Sequence, residues 1–351
     1  MKTSRGIDRT TEPDQYYTRV DAAHVAPLWT FFKEWFAAAP QPEGVAHLWR
    51  YDAIRPLLLE SASTVSTDEA ERRVLVLENP GLAGRRTVTD SLYAGLQLIM
   101  PGEIARSHRH TAAALRFIIE GSGTYTAVAG EKCYMEPGDL IVTPSWAWHD
   151  HGNESHEPTV WLDVLDVPLI RFFGAGFSEH YSEPRYPETS PPLDSHYRYG
   201  RNMLPAGFRR QSATSPIFSY PYARARETLD RLKTQTEWDP CHALKMEYID
   251  PTSGGPAIPT ISTFLQLVPQ GFGTRAHAST AGAVFCVVAG RGRVTVSRDD
   301  VHSELDYQPR DLWAVPSWHD LTIHADEETV LFSASDEAVQ RKLGVWRERR
   351  A

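Results

Sequence analysis

The sequence has few cysteines, no block of basic residues and no long apolar run. Its three cysteines, Cys133, Cys241 and Cys286, are too few and too scattered for a disulfide framework or a thiolate metal site. A net charge of -9 without a basic block argues against a nucleic-acid or anionic-membrane partner. Because the N-terminus is charged and no segment approaches the roughly 20 apolar residues of a membrane helix, we expect a cytoplasmic protein without a membrane partner.

What the chain does contain is an ordinary globular composition and two histidine-rich segments. Apolar residues make up 41% and charged residues 23% of the 351 positions, enough for two domains with separate cores. In a β-strand, His108 and His110 would point to one face and Arg109 to the other. His149 on a later strand could complete a three-histidine metal site with open positions.

Turn and strand signals surround these histidines in a regular order. A Pro-Gly turn precedes the first pair, a Gly-Ser-Gly hairpin follows it, and an apolar strand ends at a proline before His149. This order resembles the cupin double motif, carried here by Gly102, His108, His110, Gly121, Gly138, Pro144, His149 and Asn153. The glutamate ligand usual in the first motif is missing from residues 111–115, so the resemblance implies three neutral ligands.

Longer strings resemble the gentisate 1,2-dioxygenase family, which includes salicylate and 1-hydroxy-2-naphthoate dioxygenases, over nearly the whole chain. They are His108–Phe117, Glu120–Thr126, Pro144–Asn153, Glu71–Pro80, Tyr93–Gln97 and Leu331–Asp336. The resemblance implies an Fe(II) cofactor held by His108, His110 and His149. It also implies that the enzyme takes a small aromatic acid and O2. A neutral ligand set suits this chemistry, because it leaves the charge of the ion available to an anionic substrate.

The implied reaction opens a hydroxybenzoate ring between the carboxyl-bearing carbon and the adjacent hydroxyl-bearing carbon, most simply gentisate to maleylpyruvate. Salicylate, chloro- or nitrosalicylates and 1-hydroxy-2-naphthoate are alternative substrates, and Tyr93, Gly95 and Asp163 are expected to decide among them. A non-oxidative metal-dependent isomerase, or a bicupin that only binds a small ligand, is the alternative from another class. It would contain zinc or manganese and would consume no oxygen.

Two further residues are candidates for catalysis. His151 lies one strand alternation beyond His149, so its free imidazole could accept a phenolic proton, although it could also be a solvated turn residue. Arg116, six residues after His110, would face the ligand side of an unbroken strand and bind a carboxylate; the alternative is an outer-face arginine with a surface partner.

The resemblance adds Arg72, Gln97 and Asp163 as substrate-binding residues beside Arg116. The assignment of Arg72 is open because Arg73 is adjacent to it. Gln97 and Asp163 could equally be ordinary surface polar residues, which is the usual case for isolated side chains of these types.

The expected fold is mainly β: a bicupin of two double-stranded β-helix (jelly-roll) barrels with a helical N-terminal arm. We predict an arm over residues 1–86, a metal-binding cupin over 87–168, a connector over 169–239, and a second cupin over 240–351. Helices are expected at residues 27–36, at 55–60, from Ser66 with a capping box, and at 224–233. The aromatic arm would pack on the first barrel or on another subunit, and family members are usually homotetramers.

The final third of the chain repeats the first barrel. Pro309–Trp318 echoes Pro137–Trp146, which indicates a second copy of the same unit. His277 stands where the first copy has His-x-His, and Ser279 replaces the partner imidazole. The register of His319 relative to His149 is ambiguous in sequence. We therefore expect a structural second barrel without a metal.

Overall fold

The computed structural model describes residues 13–234 and 237–351. Its helices are α1 (Pro13–Ala22), α2 (Leu28–Trp35), α3 (Tyr51–Thr64), α4 (Thr67–Ala70), α5 (Val167–Phe172), α6 (Asp194–Tyr199), α7 (Tyr222–Leu232) and α8 (Glu337–Leu343). Among these described helices, none combines the length and apolar character needed to cross a bilayer.

The strands run from β1 near residue 47 to β22 at the end of the chain. They are β1 (His47–Trp49), β2 (Arg73–Val76), β3 (Tyr93–Ile99), β4 (Ile104–His110), β5 (Ala114–Glu120), β6 (Thr124–Val128), β7 (Glu131–Met135), β8 (Leu140–Thr143), β9 (His149–Asn153), β10 (Thr159–Leu165), β11 (Ser178–His180), β12 (Ser219–Tyr220), β13 (Leu244–Glu247), β14 (Ser262–Val268), β15 (His277–Ser279), β16 (Ala283–Ala289), β17 (Gly292–Arg298), β18 (Val301–Tyr307), β19 (Leu312–Val315), β20 (Asp320–Ala325), β21 (Thr329–Ser335) and β22 (Glu348–Arg350). A 3-10 helix covers Pro80–Leu82.

The strands form two barrels, each built from a six-stranded and a five-stranded sheet. The first barrel has the orders β12-β8-β5-β10-β3-β2 and β11-β4-β9-β6-β7. The second has β1-β19-β16-β21-β14-β13 and β18-β17-β20-β15-β22. Neighbouring strands in these sheets are antiparallel, as the register of β5 with β10 and of β16 with β21 illustrates. The predicted mainly β bicupin is confirmed.

Each barrel has its own buried core, and a third core lies between the two six-stranded sheets. The interior of the first barrel contains Ile118 and Trp161, and that of the second contains Val287 and Val294. The core between the sheets draws on both barrels. Within it the rings of Phe117 and Phe332 stack with centroids 4.0 Å apart and planes 9° from parallel.

Strand alternation along β5 explains how one strand serves two cores. Leu115 and Phe117 point outward into the core between the barrels, while Arg116 and Ile118 point into the first barrel. All seven residues of β5 are buried, because the second barrel covers its outer face. Arg116 therefore has no access to a surface partner on the outer face.

The chain consists of two compact units, and the boundary between them lies between Gln41 and Pro42. In the first unit, the predicted helix after Pro27 is present as α2, which presents exposed Trp29 and Trp35. None of the aromatic side chains of α2 is buried, and Trp35 is 69% exposed. The suggested packing partner of this arm stays a prediction.

Residues 42–86, which we predicted to be part of a helical arm, also contribute strands to both barrels. β1 pairs with β19 of the second barrel, and β2 pairs with β3 of the first. These strands were missed because each is only three or four residues long and lies next to a helix. The predicted helices are present nearby: α3 includes residues 55–60, and α4 begins with a complete Ser66–Glu69 capping box.

The connector contributes more structure than its composition predicted. Its helix α7 matches the expected helix at residues 224–233 within two residues. Two short strands from the same region, β11 and β12, extend the two sheets of the first barrel. β11 pairs with β4 so that His180 lies opposite His108, which brings connector residues to the edge of the histidine cluster.

Candidate metal centre

Three histidines of the first barrel converge on one point. His108 and His110 project from β4, and the pairing of β4 with β9 places His149 opposite His108. The ring centroids lie 5.2 Å apart for His108 and His110, 4.0 Å for His108 and His149, and 4.9 Å for His110 and His149. One ligating nitrogen of each ring lies within 4.8 Å of the others, the spacing of donors around one metal ion.

Backbone carbonyl groups fix the orientation of two of these imidazoles. Nδ1 of His110 lies 2.7 Å from the carbonyl oxygen of Ala112, and Nδ1 of His149 lies 2.9 Å from that of Ala147. Because a carbonyl oxygen only accepts, each Nδ1 carries the proton and each Nε2 keeps a lone pair. Nε2 of His149 is buried without a hydrogen-bond partner in the described chain. A metal ion at this point would satisfy it, so the residues fit a metal.

The electrostatic environment keeps the three rings neutral. Burial, with a smaller effect of Arg72, lowers the pKa of His108 to about 2. Burial also lowers the pKa of His110 to about 4 and that of His149 well below its usual value. Neutral imidazole is the form that binds a metal ion. Among the described residues no carboxylate joins this cluster, so a bound divalent ion would keep its full charge toward a ligand.

A cavity of about 310 Å³ opens beside the histidines. Its lining includes four residues predicted to bind substrate and two of the histidines, together with residues from β2, β3, β10 and β11. The lining residues are Glu71, Arg72, Val74, Tyr93, Gln97, His108, His110, Ala114, Arg116, Asp163, Leu165, Val167, Ser178 and His180. The volume is of the order expected for a small-molecule site.

Arg116 is the most deeply buried cation of this cavity, with only 3% of its surface exposed. Its Nη1 donates a 2.6 Å hydrogen bond to Oγ1 of Thr143, and its Nε lies 3.5 Å from Oδ1 of Asp163 on the neighbouring strand. Nε itself has no hydrogen-bond partner in the described chain. Burial raises the pKa of Asp163 to about 6 despite Arg116, so the carboxyl is mostly ionised at neutral pH.

Arg72 and Arg73 point in different directions. Arg72 lines the cavity, and its Nη2 contacts Nδ1 of His108. Burial and the nearby charge of Arg116 lower the pKa of Arg72 to about 10, so it stays cationic at neutral pH. Arg73 instead forms a buried ion pair with Glu103 and donates to Thr67. Of the adjacent pair, only Arg72 faces the cavity.

His151 is completely buried behind His149, with the two ring centroids 6.0 Å apart. It is not a solvated turn residue, and it does not line the 310 Å³ cavity. Its Nδ1 lies 2.9 Å from Oγ1 of Thr126, and its Nε2 has no partner in the described chain. The same hydroxyl lies 3.4 Å from the sulfur of Met135; if it donates there, Nδ1 of His151 carries the proton and Nε2 keeps a lone pair.

Arg109 holds the loop that leads into His149. Its guanidinium lies 4.4 Å and 4.5 Å from the ring centroids of Trp146 and Trp148, and it forms a salt bridge with Glu179 of β11. Sequence reasoning placed Arg109 on the face away from the histidines but did not find this role. It also missed Ser178 and His180 of the cavity wall, because a three-residue edge strand has too little alternation to detect.

The second barrel keeps only one of the three histidine positions. Backbone N–H groups of Trp146 and Trp318 donate to the carbonyls of His110 and Ser279 respectively, which aligns the two copies. His277 then lies opposite Leu321, as His108 lies opposite His149. Leu321 therefore takes the place of His149, and His319 aligns with Ala147. This removes the ambiguity in the register of His319.

Comparisons with known proteins agree with this geometry. A family model described as "Cupin domain" matches residues 95–165. "Gentisate 1,2 dioxygenase 1" of Aquipseudomonas alcaligenes is 46% identical over 341 residues, which cover 97% of each chain. "5-aminosalicylate 1,2-dioxygenase" of Comamonas sp is 32% identical over 96% of this chain and 91% of that protein. The crystal structure of salicylate 1,2-dioxygenase from Pseudoaminobacter salicylatoxidans with gentisate superposes with a TM-score of 0.90 at 28% identity, over 99% of this chain and 97% of that one.

Proposed function

The chain belongs to the gentisate 1,2-dioxygenase family of ring-cleaving bicupin dioxygenases, and from that premise we propose that it is an iron(II) enzyme that converts gentisate to maleylpyruvate. The observation that carries the proposal is the meeting of three neutral imidazoles beside a cavity that presents two arginines. The relative with 46% identity over nearly the full length acts, by its name, on gentisate, which supports this substrate over the others.

His108, His110 and His149 would hold the iron ion. Iron(II) held there would couple the electron-rich ring of the substrate to O2. The three histidines contribute no negative charge, which favours an anionic substrate beside the ion. The carbonyl groups of Ala112 and Ala147 orient His110 and His149, so the donors are already arranged before the metal enters.

Arg116 and Arg72 are proposed to bind the substrate carboxylate. Both guanidinium groups face the cavity, and Nε of Arg116, 3.5 Å from Oδ1 of Asp163, makes no hydrogen bond in the described chain. Because a planar guanidinium can donate two parallel hydrogen bonds to a carboxylate, Arg116 would orient the acid as well as neutralise it. Asp163 and Gln97, on the same wall, are proposed to accept and donate hydrogen bonds to the ring substituents.

His151 is proposed as the group that takes up the phenolic proton. Burial lowers its pKa, so the ring is neutral, and Nε2 has no hydrogen-bond partner in the described chain. This role requires the tautomer in which Nδ1 donates to the Thr126 hydroxyl and Nε2 keeps its lone pair. Since His151 lies behind His149, proton transfer from the cavity would run past the ligand or through a water molecule.

Oxygen uptake with a panel of aromatic acids tests the proposed activity. We expect stoichiometric oxygen consumption with gentisate, and slower or no consumption with salicylate, substituted salicylates and 1-hydroxy-2-naphthoate. Consumption with salicylates but none with gentisate would reverse the order of substrates. No consumption with any acid, in protein that contains zinc or manganese, would favour the non-oxidative alternative.

We also propose a homotetramer, in which the exposed aromatic side chains of α2 contact another subunit. Exposed Trp29, Phe32 and Trp35 on one short helix form the kind of apolar face that association covers. Light scattering should then give a mass near four times the 39.5 kDa of one chain. A mass near that of a single chain would contradict the proposal.

A further inference from the structure

The second barrel contains a separate cluster of metal-ligating side chains. His242 lies in the loop before β13, His277 in β15 and Glu348 in β22. One ligating atom from each lies within 4.8 Å of the other two. The rings of His242 and His277 have centroids 4.4 Å apart, and Nε2 of His277 lies 3.1 Å from Oε2 of Glu348. Two histidines and one carboxylate are a common donor set for transition metals.

This cluster is not a remnant of the histidine triad of the first barrel. Only His277 occupies a position equivalent to a ligand of that triad, while Ser279 and Leu321 replace the other two. His242 and Glu348 come from segments that lie on either side of the repeated motif. The donor set has therefore been assembled from different parts of the fold.

Asp239 holds these segments in place. Its Oδ1 accepts hydrogen bonds of 2.8 Å and 3.0 Å from the backbone N–H groups of Cys241 and His242. The same carboxylate forms an ion pair with Arg350, two residues beyond Glu348 on β22. Because one side chain anchors both the loop and the terminal strand, His242 and Glu348 are positioned without a metal.

The polar atoms of the cluster are incompletely satisfied. None of the described hydrogen bonds uses a ring nitrogen of His242, whose side chain is partly buried. Burial lowers the pKa of His242 to about 3, and burial also lowers the pKa of His277, so both rings are neutral. The adjoining cavity, lined by Gln266 and Ser279 among others, has a volume of about 50 Å³. It is large enough for an ion with a water molecule and too small for an aromatic acid.

Lys245 limits the kind of ion that fits. It lines the same cavity, its Nζ lies 4.1 Å from the ring centroid of Phe264, and burial lowers its pKa. The ammonium group of Lys245 repels a cation in this cavity. Only an ion that binds imidazole nitrogens tightly would overcome this repulsion. Zinc binds such donors tightly, whereas magnesium and calcium prefer oxygen ligands.

We propose that the second barrel binds one zinc ion through His242, His277 and Glu348, with water in the remaining position. The ion joins the loop before β13, the barrel strand β15 and the C-terminal strand β22. It stabilises the attachment of the C-terminal strand and takes no part in ring cleavage. The proposal replaces our expectation from sequence that the second barrel holds no metal, and it is independent of the substrate and of the iron assigned to the first barrel.

Zinc titration of the iron-loaded protein tests this site, with iron and zinc measured in the same samples after dialysis. We expect one zinc per chain to bind without loss of iron. The variants His277→Ala and Glu348→Gln should weaken zinc binding by about 100-fold or more, since loss of a group that only hydrogen-bonds to a metal ligand already lowers metal affinity about 10- to 100-fold. Glutamine has nearly the same size and shape as glutamate, so Glu348→Gln leaves no cavity in the protein. A loss of zinc binding in this variant therefore reports the lost carboxylate and not a packing defect.

The control is His319→Ala, which removes another histidine from the lining of the same cavity, one outside the donor cluster, and should leave zinc binding unchanged. Lys245→Met should tighten zinc binding by about tenfold or more, because it removes the nearby positive charge. Zinc uptake only at the expense of iron would overturn the proposal. So would equal zinc binding by wild type, His277→Ala and Glu348→Gln.

Discussion

Replacement of Arg116 by methionine should reduce the selectivity of the enzyme for carboxylate ligands. Methionine keeps most of the length of the side chain but has no charge and no N–H donor. In the structure Arg116 is almost fully buried in the cavity wall, with Thr143 and Asp163 as its protein partners. The substrate carboxylate would lose its most deeply buried cationic partner.

The size of the effect follows from the kind of interaction that is lost. Hydrogen bonds to charged groups contribute about 1.5–3 kcal/mol each, and about 1.4 kcal/mol corresponds to a factor of ten. We therefore expect kcat/KM for gentisate to fall by about 10- to 150-fold. Arg72 remains in the cavity, so binding should be weakened rather than abolished.

The variant should still fold, because Asp163 can become neutral. The pKa of Asp163 is already raised to about 6 by burial, and Arg116 opposes that shift. Without Arg116 the pKa rises further, so Asp163 is protonated at neutral pH and no uncompensated charge is buried. The thermal unfolding temperature of the variant should accordingly fall more at pH 8 than at pH 6.

The assay compares two competitive inhibitors of gentisate cleavage that differ only in charge: a benzoate analogue and its primary amide. In Arg116→Met, the inhibition constant of the carboxylate should rise by the same factor as kcat/KM falls, while that of the amide stays nearly constant. Arg293→Met, at an exposed position of the second barrel, is the matched control and should change neither value. Equal weakening of both inhibitors in Arg116→Met would refute the assignment of Arg116 to the carboxylate.

Three further predictions concern the proton acceptor, the buried carboxyl and the core between the barrels. His151→Gln should lower kcat by about 100-fold or more with iron content unchanged, measured by oxygen uptake and metal analysis; an unaltered kcat would exclude His151 as the base. The folded state raises the pKa of Asp163 from 3.8 to about 6, so ionisation of this carboxyl disfavours folding. Between pH 4 and 7 the free energy of unfolding, measured in urea titrations, should therefore fall by about 2 kcal/mol more in wild type than in Asp163→Asn; an equal fall in both proteins would contradict the shift. Phe117→Ala removes one ring of the buried Phe117–Phe332 stack and should cost about 3–5 kcal/mol of stability, whereas a loss below about 1 kcal/mol would show that the stack contributes little.

The histidine cluster could be predicted from sequence because strand alternation alone decides its geometry. Two residues apart on β4, His108 and His110 must share a face, and His149 follows the repeated Pro-Ser-Trp turn. The direction of the Arg116 side chain could not be predicted in the same way, because it depends on what covers the outer face of β5. In the tertiary structure the second barrel covers this face.

Features that depend on distant pairings could not be predicted in this way. β1 joins the second barrel and β11 joins the first although both are only three residues long, so their stability comes from the sheets they extend. The second cluster has no spacing signal at all, since His242, His277 and Glu348 are brought together only by the pairing of β15 with β22 and by the Asp239–Arg350 ion pair. The cluster becomes visible only in the positions of its side chains, because no sequence motif contains them.

Iron analysis of protein purified without air, with wild type and His149→Ala compared side by side, tests most directly whether the three imidazoles of the first barrel hold a ferrous ion. We expect wild type to contain one iron per chain and His149→Ala to contain essentially none. Wild-type protein without iron, or a His149→Ala variant that retains it, would contradict the account.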